Sequence, residues 1–438
     1  MHRALASPPA ASRTIPSITL VKLTIVASIG LALTSGCVQD RPIYYRIEAN
    51  YSVHDPQFAN TINSLLGPPL ISGNRIQTLV NGKEIFPAML DAIRAARKTI
   101  TFETYIYWKG TIGQEFTEAL SERARAGVKV CVLIDWFGAG KIDPNYISQM
   151  RGAGVDVRRY HAFHWYDLDS WRQFDHRTHR KLLVVDGRVG FTGGVGIADE
   201  WRGDADRPDH WRDNHYRVEG PIVGQLQGTF ADNWMQTTGR VLTGEDYFPR
   251  LPPAGDQWCQ MFRSSSTGGS ENMELLFLLS VSAASKNIRL ESAYFDPDSL
   301  TRKRLIEAIK RGVSVQIIVP GPGIDEKIVR AASRSHWGDM LKAGVEIYEF
   351  QPTMLHCKQL VVDDYWVSIG SANMDNRSFR LNDEANLNCL DHDFAAGQIR
   401  LFDQDLKRCR RITYPDWLHR TFAKKLSDFI ATSLDWEI

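Results

Sequence analysis

His179-Arg180-Lys181-Leu182-Leu183-Val184-Val185-Asp186 and His356-Cys357-Lys358-Gln359-Leu360-Val361-Val362-Asp363 place a histidine, a lysine and an aspartate at one fixed spacing, twice in one chain. Each copy runs on into a glycine turn, Gly193-Gly194 in the first and Gly370-Ser371-Ala372-Asn373 in the second. The apolar residues between lysine and aspartate read as a short buried strand. Side chains at i and i+2 of a strand share a face, so each histidine and its lysine point into one site. An ammonium buried without a partner is costly, which makes this a poor core pair and a good trap for an anion.

If both copies meet at one cleft, the site holds two imidazoles and two ammonium groups. Lys181 and Lys358, helped by Asn373, Ser371 and backbone N–H groups such as that of Gly194, would neutralise the charge that develops on a phosphodiester under attack. One imidazole can attack phosphorus, and the other can protonate the leaving alkoxide and then deprotonate the incoming hydroxyl. Each imidazole needs an orienting partner on its other nitrogen. A lone His-x-Lys on a strand is usually surface decoration; two copies with the same downstream turn are not. A metal site competes through the ligand-like spacing of His161-x-x-His164 and His176-x-x-His179. Lysine beside both motif histidines argues against a cation there, and no metal or cofactor is expected.

These motifs resemble the phospholipase D superfamily, and within it the bacterial cardiolipin synthases. The resemblance rests on Phe102-Glu-Thr-Tyr-Ile-Tyr-Trp108, on His179 through Trp201, and on Gly370-Ser-Ala-Asn-Met-Asp-Asn-Arg-Ser-Phe-Arg-Leu-Asn-Asp-Glu-Ala-Asn386. It covers roughly residues 75 to 435 and implies a phosphohistidine mechanism without metal, with the site between two lobes. It implies that His179 is the nucleophile and His356 the general acid/base, with Lys181, Asp186, Lys358 and Asp363 completing the catalytic motifs. Glu384 matches the acid behind one histidine and Asp213 is the candidate for the other. Asp186 and Asp363 sit at strand ends, where fixing the turn is the expected role. One departure stands out: Gly196 occupies the position that corresponds to Asn373, so a phosphate donor is missing on one side, with Asn214 or a backbone N–H as the substitute. The implied substrate is a phospholipid, phosphatidylglycerol, whose phosphatidyl group passes to a second molecule; hydrolysis and nuclease action on the same site are the rivals.

The doubling extends upstream of the motifs. Ile100-Thr-Phe-Glu103 parallels Ile288-Arg-Leu-Glu291, Gly127-Val-Lys-Val parallels Gly312-Val-Ser-Val, and Met150-Arg-Gly-Ala-Gly-Val parallels Met340-Leu-Lys-Ala-Gly-Val. The first pair reads as a helix running into a strand that ends in Glu, and the other two as a helix closed by a glycine and followed by a strand. The predicted fold is therefore α/β: two homologous α/β/α lobes about a pseudo-twofold axis, with the active site at their interface. The expected divisions are 1–37 as a signal segment, 38–74 as a lead-in, 75–245 as the first lobe and 246–438 as the second. The boundary falls in the Gly-, Pro- and Ser-rich stretch from Thr238 to Ser270. Trp417, Leu418, Phe422, Leu426, Phe429 and Ile430 fall at helical spacing after Arg408, Arg410 and Arg411, and read as a helix packed on its own domain rather than on a membrane.

Roughly 400 residues follow Cys37, ample for two cores. Net charge is +1, which gives no extended nucleic-acid footprint. Five cysteines beyond Cys37 are scattered and imply no disulfide framework. Cys131 sits in an apolar strand, and Cys357 alternates away from the His356 face. Arg3, Arg13 and Lys22 precede the apolar run Leu23–Leu33 and then Thr34-Ser-Gly-Cys37. The run suits a signal peptide core. Its end resembles a lipobox, so Cys37 would carry lipid; an uncleaved signal anchor is the other reading. Either places the catalytic part on the extracytoplasmic side of a bacterial membrane. Tyr107, Trp108, Trp136, Phe137, Trp165 and Tyr166 are candidates for the lipid interface.

Overall fold

The computed structural model describes residues 45–48, 50–163, 165–166, 174–265, 272–421, 424–425 and 428. The signal segment with Cys37, and much of the C-terminal stripe beyond Leu418, lie outside the described residues. A single sheet of fifteen strands runs through the molecule. In chain order its strands are β1 (Ile71–Val80), β2 (Thr99–Thr104), β3 (Lys129–Asp135), β4 (Asp156–Tyr160), β5 (Leu182–Val185), β6 (Val189–Gly193), β7 (Asn214–Glu219), β8 (Gln257–Arg263), β9 (Asn287–Ser292), β10 (Ser314–Pro320), β11 (Glu346–Phe350), β12 (Lys358–Val362), β13 (Trp366–Gly370), β14 (Ala385–Leu390) and β15 (Cys409–Ile412). Across the sheet they lie in the order β15-β11-β10-β9-β12-β13-β14-β8-β1-β7-β6-β5-β2-β3-β4.

That order is a palindrome of roles. Outward from the centre, β1-β7-β6-β5-β2-β3-β4 in one half answers β8-β14-β13-β12-β9-β10-β11 in the other, with β15 added at the far edge. The two halves meet where β1 and β8 pair antiparallel, so a pseudo-twofold axis passes between them. Strands β2, β3 and β4 pair parallel, as do β9, β10 and β11, while the inner strands and the edge strand β15 pair antiparallel, which makes the sheet mixed. Strands β2, β5, β12 and β13 are buried along their whole length, as expected where helices cover both faces.

The covering helices repeat too: α2 (Asn81–Ala95) with α6 (Asn272–Ser282), α3 (Thr111–Arg125) with α7 (Ser299–Lys310), and α5 (Ile222–Thr238) with α11 (His392–Leu406). The glycines that mark the repeat do the work expected of them. Gly127 and Gly312 follow α3 and α7 with the same φ of +88°, a conformation that a side chain makes costly.

Two features differ from the sequence reading. The lead-in forms helix α1 (Pro56–Leu65), N-capped by Asp55, and Phe58 and Ile62 sink into the core of the second lobe beside Trp366 and Phe277. Within the Gly/Pro/Ser-rich stretch, Gln257–Arg263 are the strand β8 that joins the halves. Loop composition on either side masked it. One hydrophobic cluster runs across this seam, uniting Ile76, Leu182 and Phe230 with Cys259, Met261, Val361 and Leu387. Near the C-terminus Trp417 packs over Gly338 and bonds the Arg334 carbonyl, while Arg410 and Arg411 pair with Glu349 and Glu346.

Candidate active site

Both motifs lie where the halves face each other. Backbone bonds stitch each motif to the opposite lobe: His179 N–H donates to the Asp383 carbonyl at 2.9 Å, and His356 N–H to the Arg212 carbonyl at 2.7 Å. These short cross-lobe bridges deliver the acids. The Nδ1 of His179 lies 2.9 and 3.0 Å from the two carboxylate oxygens of Glu384, and the Nδ1 of His356 lies 2.8 Å from Oδ2 of Asp213. Each lobe therefore supplies the acid that holds the other lobe's histidine. All four side chains are buried.

The acids are supported differently. Glu384 accepts a short hydrogen bond from the Ser371 hydroxyl, and the Ala385 N–H returns to that hydroxyl at 3.0 Å. Asp213 is shorter and is held by Trp201 Nε1–H at 2.9 Å and by the Asn214 N–H at 2.8 Å. At the position equivalent to Ser371 stands Gly194, where a Cβ would lie 2.3 Å from the Asp213 carboxylate. The glycine is what lets Asp213 reach in.

Gly196 has a matching explanation. A Cβ there would meet the Ile106 Cβ at 2.8 Å and the Trp201 ring at 3.2 Å, so the indole that holds Asp213 takes the room an asparagine would need. Asn214 accepts from Arg212 at 2.6 Å through its Oδ1, and its Nδ2 is buried without a hydrogen-bond partner. In the other half Asn373 is buried, its Oδ1 3.4 Å from the Tyr294 N–H.

Burial dominates the electrostatics. It pulls His179 down to about 4, with the Lys181 and Lys358 charges adding to the effect against the pull of Glu384. It pulls His356 well below the usual imidazole range, again assisted by both lysines. Lys181 is pushed down to about 7 by burial and by Lys358. Burial would push Glu384 up, but His179, Lys181 and Ser371 together hold it at about 2. For Asp213 burial prevails over Lys358 and the Trp201 bond, and it stands at about 6. Near neutrality both are therefore neutral imidazoles facing carboxylates through Nδ1, which leaves Nε2 of His179 as its basic nitrogen, while at His356 the Lys358 Nζ also lies 3.0 Å from Nδ1 and 3.2 Å from Nε2. The lysines bond the carbonyls of their own motif histidines, both at 2.7 Å, and the charge of Lys358 weighs on Lys181, a mutual repulsion that an anion would relieve.

Asp186 and Asp363 belong to the motifs that the resemblance calls catalytic, and their contacts are those of the turn-fixing role expected from their place at the strand ends. Five residues of extended chain, about 16 Å, separate each from its lysine. Asp186 accepts from the N–H groups of Arg97, Lys98 and Thr99; Asp363 accepts from those of Ser285, Lys286 and Asn287 and from the Ser285 hydroxyl. Both have φ near +50° in tight hairpin turns. They anchor the start of β2 and β9 and touch nothing in the cleft.

Several site residues escaped the sequence reading. Tyr105 lies edge-on to His179, with ring centroids 5.3 Å apart. Trp201 and Trp211 flank His356 at 5.1 and 5.6 Å, and Tyr294 meets it at 6.5 Å. Tyr105 and Tyr294 follow the repeated strand-end glutamates Glu103 and Glu291 by two and three residues, and an aromatic just past each strand end was the available signal. The interface aromatics divide. Tyr107 is core, its hydroxyl bonded to the Gly113 carbonyl and to Thr117; Trp108 and Trp136 are half-buried; Phe137, Trp165 and Tyr166 are exposed. His161 Nδ1 bonds the His176 carbonyl at 2.8 Å, and His164 lies outside the described residues. Among the described residues no group of three histidine, cysteine or acidic side chains is arranged to hold a metal.

A family model described as "Cardiolipin synthase, PLD-like domain" matches residues 89–201 and 278–406. Cardiolipin synthase A of Pseudomonas putida is 35% identical over 352 residues, 80% of this chain and 71% of that protein. The protein of the same name from Pseudomonas syringae pv. syringae (strain B728a) is 35% identical over 350 residues, covering 79% and 71%. Among solved structures, phosphatidylserine synthase of Haemophilus influenzae Rd KW20 shares the fold, with a TM-score of 0.64 at 15% identity over 86% of this chain and 99% of that one. With two motifs joined by crossed acid–histidine pairs and these matches over most of its length, the chain belongs to the cardiolipin synthase family of the phospholipase D superfamily.

Proposed function

We propose that this protein is a phosphatidyltransferase that makes cardiolipin and glycerol from two molecules of phosphatidylglycerol. The observation that carries the reading is the crossed pairing of two neutral imidazoles with two buried carboxylates over two lysines. His179 Nε2 attacks phosphorus, a P–N bond forms, and the P–O bond to glycerol breaks as that oxygen takes a proton from His356. His356 is neutral in the empty site; the entering anion raises its affinity for the proton it donates. The hydroxyl of a second phosphatidylglycerol then gives its proton to His356 and attacks phosphorus, and the P–N bond breaks. Lys181 and Lys358 bear the charge on the non-bridging oxygens. The order of roles is taken from the family resemblance, with Glu384 holding Nδ1 of His179 and Asp213 holding Nδ1 of His356.

Membrane association belongs to the same reading. The exposed Phe137, Trp165 and Tyr166 are residue types that settle at a lipid interface. The proposed anchor is lipid on Cys37, with the catalytic part on the extracytoplasmic side. None of the described helices is long and apolar enough to cross a membrane. Mass spectrometry of the N-terminal peptide, with Cys37→Ala released from the membrane fraction, tests the anchor.

The enzymatic test is turnover of labelled phosphatidylglycerol in mixed micelles by wild type, His179→Ala and His356→Ala. Cardiolipin plus glycerol, absent with both variants, is expected. Phosphatidic acid alone would make the protein a hydrolase, and no lipid product from folded protein would overturn the reading. Rapid denaturation during turnover at neutral to mildly alkaline pH, where a P–N bond persists, should leave the phosphatidyl group on the peptide containing His179.

A further inference from the structure

The mouth of the cleft carries negative charge that the phosphodiester chemistry does not use. Tyr294 leans on the His356 ring, and its hydroxyl donates to Oδ2 of Asp325 at 2.8 Å. Asp325 is exposed, and Tyr294 ties it to the His356 side of the cleft by touching both. The loop is fixed in place. Gly321 N–H bonds the Phe350 carbonyl, and the neighbouring Ile324 is buried in the first-lobe cluster with Trp201, Trp211 and Met354. A carboxylate held above an anion-binding pit opposes phosphate. The chemistry it suits is the hydroxyl group, which donates to a carboxylate that the Tyr294 phenol already holds in place by its own O–H.

Position selects which hydroxyl. In the transfer reaction the departing and the incoming oxygen both exchange a proton with His356, so both head groups occupy the His356 side in turn. A vicinal hydroxyl then lies one carbon beyond the reacting oxygen, toward the rim. We propose that Tyr294 and Asp325 form the subsite that recognises the hydroxyl adjacent to the reacting oxygen of a glycerol-like diol, and so select polyol acceptors over simple alcohols. This assignment rests on the transferase reading above and adds the source of its acceptor selectivity.

The test is a competition within one reaction. Full-length protein in mixed micelles receives labelled phosphatidylglycerol with equal glycerol and 1-propanol, and the ratio of regenerated phosphatidylglycerol to phosphatidylpropanol is read by exchange of deuterated glycerol. Because both products come from one enzyme population, partial loss of folding or of turnover cancels. A hydrogen bond to a charged group contributes roughly a factor of ten in selectivity. Asp325→Ala should lower the glycerol preference about tenfold, and Tyr294→Phe should lower it less. Asp325→Asn, which keeps an acceptor, should fall between Asp325→Ala and wild type. Unchanged ratios with transfer intact would overturn the subsite and leave the transferase reading standing. Phosphatidic acid as the only product of wild type would overturn both.

Discussion

Burial sets the protonation of the side chains at the centre of the cleft, and that makes their pH dependence testable one residue at a time. His179 becomes a free base above about 4, while Lys181 loses its charge above about 7. The kcat/KM of the free enzyme should therefore rise through the first value and decline through the second. Lys181→Arg keeps its charge at all working pH values. It should move the alkaline limb upward, and a limb that stays put would assign it to another group. Stability runs the other way. The folded lysine has a lower pKa than the unfolded one, so between about 7 and the ordinary lysine value near 10.4 the unfolded chain binds the extra proton. Lys181 thus contributes increasing stability as pH rises through that window, while activity falls. Gly196→Asn is a second test at this scale. With Ile106 and Trp201 inside contact distance, the added side chain should cost about 1–3 kcal/mol in urea denaturation rather than restore a phosphate donor.

At the scale of the element, each aspartate of the motif ties a hairpin to the strand beside it. Both turns use positive φ at the aspartate, and both carboxylates collect three backbone N–H groups at the start of β2 or β9. Asp363→Ala should lower stability by about 2–4 kcal/mol, since several N–H groups lose a charged partner. Its kcat, measured well below the unfolding transition, should stay within about threefold of wild type. A thousandfold loss of kcat with the melting temperature unchanged would return Asp363 to the reacting centre. The strand between lysine and aspartate was legible because its residues are apolar and its period is two. The turn chemistry was legible in outline, from an aspartate at each strand end. β8 was not: its flanks are Pro, Gly and Ser, and its pairing with β1 and β14 is a long-range event that local composition does not encode.

At the scale of the molecule, the two lobes are one catalytic unit. Glu384 serves His179 and Asp213 serves His356, while a shared cluster and a continuous sheet cross the seam. The geometry is complete within one chain. Mixing His179→Ala with His356→Ala should therefore give no more activity than the two added together. Recovery approaching a quarter of wild type or more would mean that chains exchange lobes and share sites.

The sequence by itself determined the doubled motif, the repeat of helix, glycine and strand, and the four central side chains, because each is written in local spacing and in the period of a strand. It also supplied Glu384 and Asp213 as acids, without saying which histidine each one holds. Only the tertiary structure decided the crossing, the tryptophan cage that displaces an asparagine at Gly196, and the Tyr294–Asp325 rim. The physical reason is packing that local spacing does not encode: the crossed pairs span 205 and 143 residues and meet through the closure of the two halves, whereas the tryptophan contact and the rim depend on how loops fold back beside His356.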